Sequence, residues 1–309
     1  MKIITLTLNS AFDIHCYTND FKPFSENLAK ITSYDAGGKG VNISRTLIAN
    51  GIPNTAYVVV GDENKEKFLK SLDNDNINYK EFVVPGAIRE NITLHTKDKP
   101  ETRISFEGFE ADDKTIDVIK AELEKETKED LIIILAGRMA NGMDIEKLKK
   151  LLVFLGEKGA KIVIDSKSFT ERDILDVKPY LIKPNEEEIA MYTDIEVKDF
   201  EGAKKAAVSI REKGVENVMI SLGAKGALLC TEDGIFYGEA PEIEVISTIG
   251  AGDSSIAGFI EALTNGEGYA LALKNAIAYG SAACMCEGTK PPKKEEIKKI
   301  YERIDIKRI

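Results

Sequence analysis

Residues 247–258, STIGAGDSSIAG, place three small residues, Gly250, Ala251 and Gly252, directly before a carboxylate, Asp253, and a helix-like run. Small residues at a helix start expose backbone N–H groups, which together with the helix dipole attract an anion. A carboxylate beside them repels one. Asp253 therefore either caps the helix, as Asp commonly does, or faces a second reactant as a base.

Three further clusters pose the same choice between chemistry and scaffolding. In DAGGKGVNISRTLIANG, residues 35–51, the glycines at 37, 38 and 40 let backbone approach a ligand, and Lys39 and Asn42 would face whatever sits at the helix start. The spacing fits neither a Walker A loop nor a G-x-G-x-x-G fingerprint, and a tight strand-to-helix turn is the plain alternative. IKPNEEEI, residues 182–189, sets Lys183, Asn185 and Glu188 at the carboxyl end of an expected strand, where open α/β sheets bind ligands. Asn185 as a helix cap explains that cluster except for Lys183. In SLGAKGALLC, residues 221–230, Ser221 precedes a turn in which Gly223 and Gly226 bracket Lys225. That segment reads as a hairpin turn or as a loop over a nucleotide.

The elements that must carry these groups follow from hydrophobic periodicity. LIIILA (131–136), KIVID (161–165), YLIKP (180–184) and NVMISLG (217–223) are short, β-branched and apolar throughout, as buried strands of a covered parallel sheet are. Amphipathic stretches near 143–158, 185–192 and 198–213 supply crossover helices, so the fold class is α/β, a mostly parallel sheet with helices on both faces. Residues 9–35 and about 81–108 alternate without helices and predict strands of a small β-sheet lid, inserted into a single domain over 1–309. The chain has no run of 18 apolar residues and begins as a strand rather than a signal peptide, from which a cytoplasmic protein with no membrane partner is expected. Four irregularly placed cysteines indicate no disulfide framework. A formal net charge of −10 argues against nucleic acid as partner, and it requires that positive charge be concentrated locally if the ligand is an anion.

Together the four clusters, in this order, resemble the signatures of the ribokinase-like, or phosphofructokinase-B, family of carbohydrate kinases. Gly37-Gly38-Lys39-Gly40 with Asn42 is similar to its N-terminal signature, Lys183-Pro184-Asn185 with Glu188 to its K-P-N-x-x-E element, and Gly250-Ala251-Gly252-Asp253 to its C-terminal signature. Within the family the opening ITLTLNSAFD, the segment VVPGAIRENITLH, then ISFEGFE and VIDSK resemble the hexose-phosphate kinases, which act on fructose 1-phosphate or tagatose 6-phosphate. The resemblance implies ATP and Mg2+. It implies an anion hole at Gly250, Ala251 and Gly252, and Asp253 as the base for a sugar hydroxyl. Asp13, Gly38 and Asn42 would hold sugar hydroxyls, and Lys39, Arg89 and Arg103 would hold the substrate or its phosphate. Lys183, Ser221, Gly223, Gly226 and Asn275 would lie toward the nucleotide, and Asn185 and Glu188 would orient Mg2+ through water.

The departures from the family pattern bear on the substrate. Ser10 stands where N-P-A-x-D has proline, Glu90 stands in the T-R-x-N element, and Arg138 stands where a serine is common. An Arg138 that enters the cleft beside Arg89 and Arg103 needs an anion there, either Glu90 or a charged group of the substrate. The expected activity is phosphorylation of a ketohexose phosphate, foremost fructose 1-phosphate at O6. Tagatose 6-phosphate at O1 is the rival, followed by another sugar or a nucleoside. A non-catalytic sugar-phosphate sensor is the alternative of a different class, and Asp253 with its intact loop argues against it. Lid strands of this family often pair between subunits, so a homodimer through the lid is expected.

Overall fold

Every residue of 131–136 is buried. A strand with no polar face needs cover on both sides, and the computed structural model, which describes residues 1–97, 101–126 and 130–309, supplies it. In chain order the first elements are β1 (Lys2–Thr7), β2 (Ala11–Tyr17), β3 (Lys30–Gly37), α1 (Lys39–Ala49), β4 (Thr55–Gly61), α2 (Lys65–Asn74), β5 (Tyr79–Val84), β6 (Arg89–His95), β7 (Thr102–Ser105) and α3 (Asp113–Glu124). The middle of the chain forms β8 (Leu131–Ala136), α4 (Ile145–Glu157), β9 (Lys161–Asp165), α5 (Glu171–Val177), β10 (Leu181–Ile182), α6 (Glu186–Ala190) and α7 (Phe200–Glu212). The rest forms β11 (Asn217–Ser221), β12 (Ala227–Thr231), β13 (Gly234–Gly238), α8 (Ala251–Thr264), α9 (Tyr269–Cys284), α10 (Lys294–Tyr301) and β14 (Ile306–Arg308).

Ten strands build the large sheet, in the order β14-β13-β12-β11-β10-β9-β8-β1-β4-β5. Pairing is parallel from β11 to β5 and antiparallel from β11 to β14. Successive residues of β8 feed opposite core layers. Ile132 and Ile134 pack with Ile43 and Leu47 of α1 and with apolar residues of α8, α9 and α10. Leu131, Ile133 and Leu135 pack with residues of α2, α3, α4 and α7. The architecture is the doubly covered α/β sheet that the periodicity predicts.

The second sheet has four strands in the order β3-β2-β6-β7. Its boundaries differ from the expected lid in one place. Residues 81–84 belong to β5, which pairs in parallel with β4 at the edge of the large sheet. An edge strand is half exposed, so it alternates just as a lid strand does. Directly paired residues share a face of a sheet. Asp13 is paired with Asp35 and Asn91, and His15 with Ser33 and Thr93, so these groups form one polar face. Ile14, Ile92 and Ile104 lie in register on the other face. Among the described residues no helix is long and apolar enough to cross a membrane.

Candidate active site

Parallel strands end on the same side of a sheet, and here β9 and β10 end in charge. Their register pairs Ile164 with Ile182, which makes Asp165 and Lys183 the next neighbours across the strands. Asp165 is buried, and its Oδ2 lies 3.7 Å from Lys183 Nζ. Lys39, the first residue of α1, donates to Asp165 Oδ1 at 3.0 Å. Burial alone would raise the Asp165 pKa, but Lys183 and Lys39 outweigh it and hold the carboxyl below its ordinary value.

Asp253 is the third residue of α8 and is buried. Burial pushes its carboxyl up to about 6. The nearby charge of Lys39 and a hydrogen bond from Asn42 oppose this rise, and the negative charge of Asp165 adds to it. Asn42 Nδ2 donates to Asp253 Oδ2 at 3.0 Å, while Asn42 Oδ1 accepts from Arg45 at 2.9 Å. Asn42 thus orients the carboxylate. The helix-cap reading of Asp253 does not hold, because α8 begins at Gly250, with φ of 80° and no side-chain cap. Lys183 reaches the first turn of this helix. A Cβ on Gly252 would stand 3.0 Å from Lys183 Nζ. The start of α1 is built likewise, on Gly38 with φ of 108° and no side-chain cap.

The lid delivers the second group of charges. Asn91 Nδ2 donates to Asp13 Oδ1 at 2.9 Å, and Arg103 reaches the same oxygen at 3.5 Å. Gly37 must be glycine, since a Cβ there would lie 2.2 Å from Asp13 Oδ2. Arg89 donates to the carbonyls of Phe106 at 3.0 Å and Asn9 at 3.4 Å. Burial lowers its pKa. The pull of Asp13 opposes that, and the repulsion of Arg138 and Arg103 reinforces it. Arg138 is exposed on the loop after β8, where Gly137 packs beside Lys39 and the Met139 carbonyl accepts from Asn9 at 3.2 Å. Three guanidinium groups therefore share one end of the cleft. The pairing of Arg138 with Glu90 is not formed. Glu90 alternates onto the other face of the lid and accepts from Tyr34 Oη at 2.5 Å.

At the nucleotide side the structure separates packing from chemistry. Gly226 is demanded by the fold, because a Cβ would meet the Gly238 carbonyl at 2.0 Å. Gly223 has φ of 58° and open space around it, within the turn joining β11 and β12. Ser221 lies beside Pro184, to whose carbonyl its N–H donates at 3.1 Å. Asn275 stands apart on α9, with its amide toward Glu261 of α8 at 3.4 Å. Asn185 and Glu188 form a reciprocal capping box at the start of α6. Lys167 also pairs with Glu188, at 3.3 Å. Among the described residues no cluster of three metal-ligating side chains occurs. A small hollow lined by Asp165, Ser166, Lys183 and Glu188, with Asp165 Oδ2 lacking a hydrogen-bond donor, nevertheless offers hard oxygen atoms. That donor set fits a Mg2+ ion that keeps most of its waters.

Asp165, Asn91, Asn9 and Arg45 complete the site without a role assigned by sequence, although the first three lie in the segments VIDSK, VVPGAIRENITLH and ITLTLNSAFD. For Asp165 a signal was present, an acid closing an apolar strand at its carboxyl end.

A pfkB family carbohydrate kinase signature extends over residues 7–296. The 1-phosphofructokinase of Vibrio cholerae is 30% identical over 257 residues, 83% of this chain and 81% of its own. That of Escherichia coli K12 is 28% identical over 312 residues, 99% of this chain and 98% of its own. The solved structure of Escherichia coli phosphofructokinase-2 with substrates and products superimposes with a TM-score of 0.91 at 24% identity, covering 98% of this chain and 99% of that one. This last likeness is one of fold.

Proposed function

Since the chain belongs to the pfkB family of carbohydrate kinases, we propose that it transfers the γ-phosphoryl group of ATP to O6 of fructose 1-phosphate, giving fructose 1,6-bisphosphate and ADP. The observation that carries the substrate class is the sharing of one cleft end by Arg89, Arg103 and Arg138, with Asp13 as the acid that draws on Arg89. Three guanidinium groups facing one acid leave a net positive charge, which suits a substrate that brings its own dianion. Relatives named 1-phosphofructokinase support fructose 1-phosphate among sugar phosphates.

Asp253 accepts the proton of the attacking hydroxyl. An alcohol is a far weaker acid than a carboxylic acid, so the proton moves late, as the new O–P bond forms and the bond to the leaving ADP oxygen lengthens. The N–H groups at Gly250, Ala251 and Gly252, with Lys183, stabilise the charge on the transferred group. Asn185 and Glu188 would hold Mg2+ through water, beside Asp165. When bound, the ion neutralises the nucleotide phosphates. Asp13, Gly38, Asn42 and Lys39 line the sugar side and Ser221, Gly223 and Gly226 the nucleotide side, whereas Asn275, on α9 and held toward Glu261, lies beyond them. ATP and sugar phosphates belong to the cytoplasm, where we place the protein. Exposed Ile31 and Ile104 on the lid's apolar face support a homodimer built through the lid.

An ADP-release assay over fructose 1-phosphate, fructose 6-phosphate, tagatose 6-phosphate, free hexoses and nucleosides tests the reading, with Arg138→Ser beside the unaltered protein. Fructose 1-phosphate is expected to give the highest kcat/KM, and Arg138→Ser to lower it about tenfold through KM, as loss of one charge-assisted contact does. A gain of Arg138→Ser on fructose 1-phosphate would show that the natural substrate is another compound. Thermal stabilisation by sugar phosphates without ADP release would show a sensor. Arg89→Ala and Arg103→Ala should each raise the sugar-phosphate KM roughly ten- to a hundredfold and leave the ATP KM nearly unchanged. A loss of ATP affinity instead would place the lid over the nucleotide.

A further inference from the structure

His15 and His95 occupy the polar face of the lid, beyond the residues assigned to substrate. His15 is opposite Thr93, and His95 is opposite Tyr17, in the parallel pair β2–β6. His15 Nδ1 and His95 Nε2 are 2.9 Å apart, and the two rings stack at 5.2 Å. His15 is only 3% exposed, and its Nε2 is buried with no hydrogen-bond partner. That nitrogen points at the loop after α9. A Cβ on Gly288 would lie 2.7 Å from it, and Gly288 has φ of 61°. The next residue, Thr289, packs on Gly250, since a Cβ there would lie 3.7 Å from the Thr289 Cα. One short loop thus touches both the lid and the start of the anion hole.

We propose that His15 and His95 are positioning residues that seat the lid on the 285–290 loop, and that the seat holds only while the imidazole pair is neutral. The reason lies in where a further proton can go. The contact fixes no direction by itself, but a hydrogen on His15 Nε2 would find no acceptor, so the favoured neutral pair has His15 Nδ1–H donating to His95 Nε2 and leaves His15 Nε2 bare. A proton added to His15 goes onto Nε2. A proton added to His95 makes its Nε2 a donor, and His15 must then accept at Nδ1 and carry its own hydrogen on Nε2. Either way an N–H appears at a buried position with no acceptor, a costly state that opening to water relieves.

The charges around the pair do not reverse this. Asp13 on β2, Asp35 on β3 and Glu101 ahead of β7 favour the protonated ring, but burial and the neighbouring His95 prevail and hold His15 below its ordinary pKa. Arg103 of β7 is held by Asp13. On the loop itself Glu287 lies within electrostatic reach of His95 and favours its protonated ring, but it is paired with Lys290 at 2.9 Å, which offsets that pull. Once opening exposes it, His15 titrates near its ordinary 6.5, whereas seated it is held below that value, so acid favours the open lid. At pH 5.5 the shift amounts to up to about tenfold.

The inference rests on the reading that this lid closes over a ligand, but its test needs no substrate, so the two fail separately. Hydrogen exchange of the free protein is followed over residues 11–17 and 285–290 at pH 7.5 and 5.5, after correction for the intrinsic pH dependence of exchange. Protection is expected to fall by up to about tenfold in the unaltered chain. His15→Asn, which keeps a polar atom near the Nδ1 position and deletes Nε2, is expected to show the same protection at both values. Gly288→Ala pushes the loop off His15 and is expected to reach the low-pH level already at pH 7.5. Unchanged protection in the unaltered chain, or an equal fall in His15→Asn, overturns the proposal. Should His15→Asn fail to fold, full protection in Gly288→Ala at pH 7.5 overturns it as well.

Discussion

Asp253→Asn will bind ATP and sugar phosphate and lose about 10²–10⁴ in kcat, the usual cost of removing a general base. The substitution keeps the acceptor for Asn42, whose amide stands 3.0 Å from Asp253 Oδ2, so the site keeps its shape. Single-turnover kinetics at saturating substrates, with binding measured by calorimetry, separates chemistry from affinity. Turnover within a few-fold of normal would remove Asp253 from the mechanism. The same residue sets a pH limit. Burial pushes its carboxyl up to about 6, and only the ionised form accepts a proton, so kcat should fall as pH drops through about 6. The sign for stability is opposite. A carboxyl whose folded pKa exceeds its unfolded value binds its proton more tightly when folded, so its contribution is lost as pH rises through about 6. At neutral pH the Asn variant should therefore melt no lower than the unaltered protein, and function here is held at a cost in stability.

Asp165→Asn should destabilise the fold by about 3–5 kcal/mol, the range for breaking a buried ion pair from one side. Lys183 is 5% exposed, and the substitution removes the acid that stands 3.7 Å from its Nζ. Lys39 is more accessible and can recover some hydration. Urea unfolding at pH 7.5 reads the effect. Asp165 has a depressed folded pKa, so its contribution is present above the unfolded value and fades as pH falls toward the folded one. The gap between variant and unaltered protein should accordingly narrow below about pH 4. A second readout tells electrostatics from packing. Asp165 helps to raise the Asp253 pKa, so without it the acid limb of kcat should move to lower pH. A variant of unaltered stability and an unmoved acid limb would reduce Asp165 to a bystander.

The residues that do chemistry next to a local backbone signal were legible in order. Gly250 before Asp253 and Gly38 before Lys39 mark helix starts without side-chain caps, and a glycine with positive φ leaves its trace in the sequence itself. Apolar runs such as 131–136 announced buried strands, because burial on both faces removes every polar position. Periodicity could not tell Tyr79–Val84 from a lid strand, since the edge of a large sheet and a lid both expose one face. It could not say which of two neighbours, Arg89 or Glu90, meets the cleft, as that depends on the face the lid turns inward.

By itself the sequence determined the layered α/β class, the places where backbone opens toward an anion, and the acid poised there. Only the tertiary structure decided that Asp165 joins Lys39 and Lys183, that Arg138 stands with Arg89 rather than with Glu90, and that His15 meets Gly288. Propensity and periodicity act over one helix turn or one strand pair. These contacts instead join residues far apart in the chain, and strand order, register and the seating of the lid bring them together.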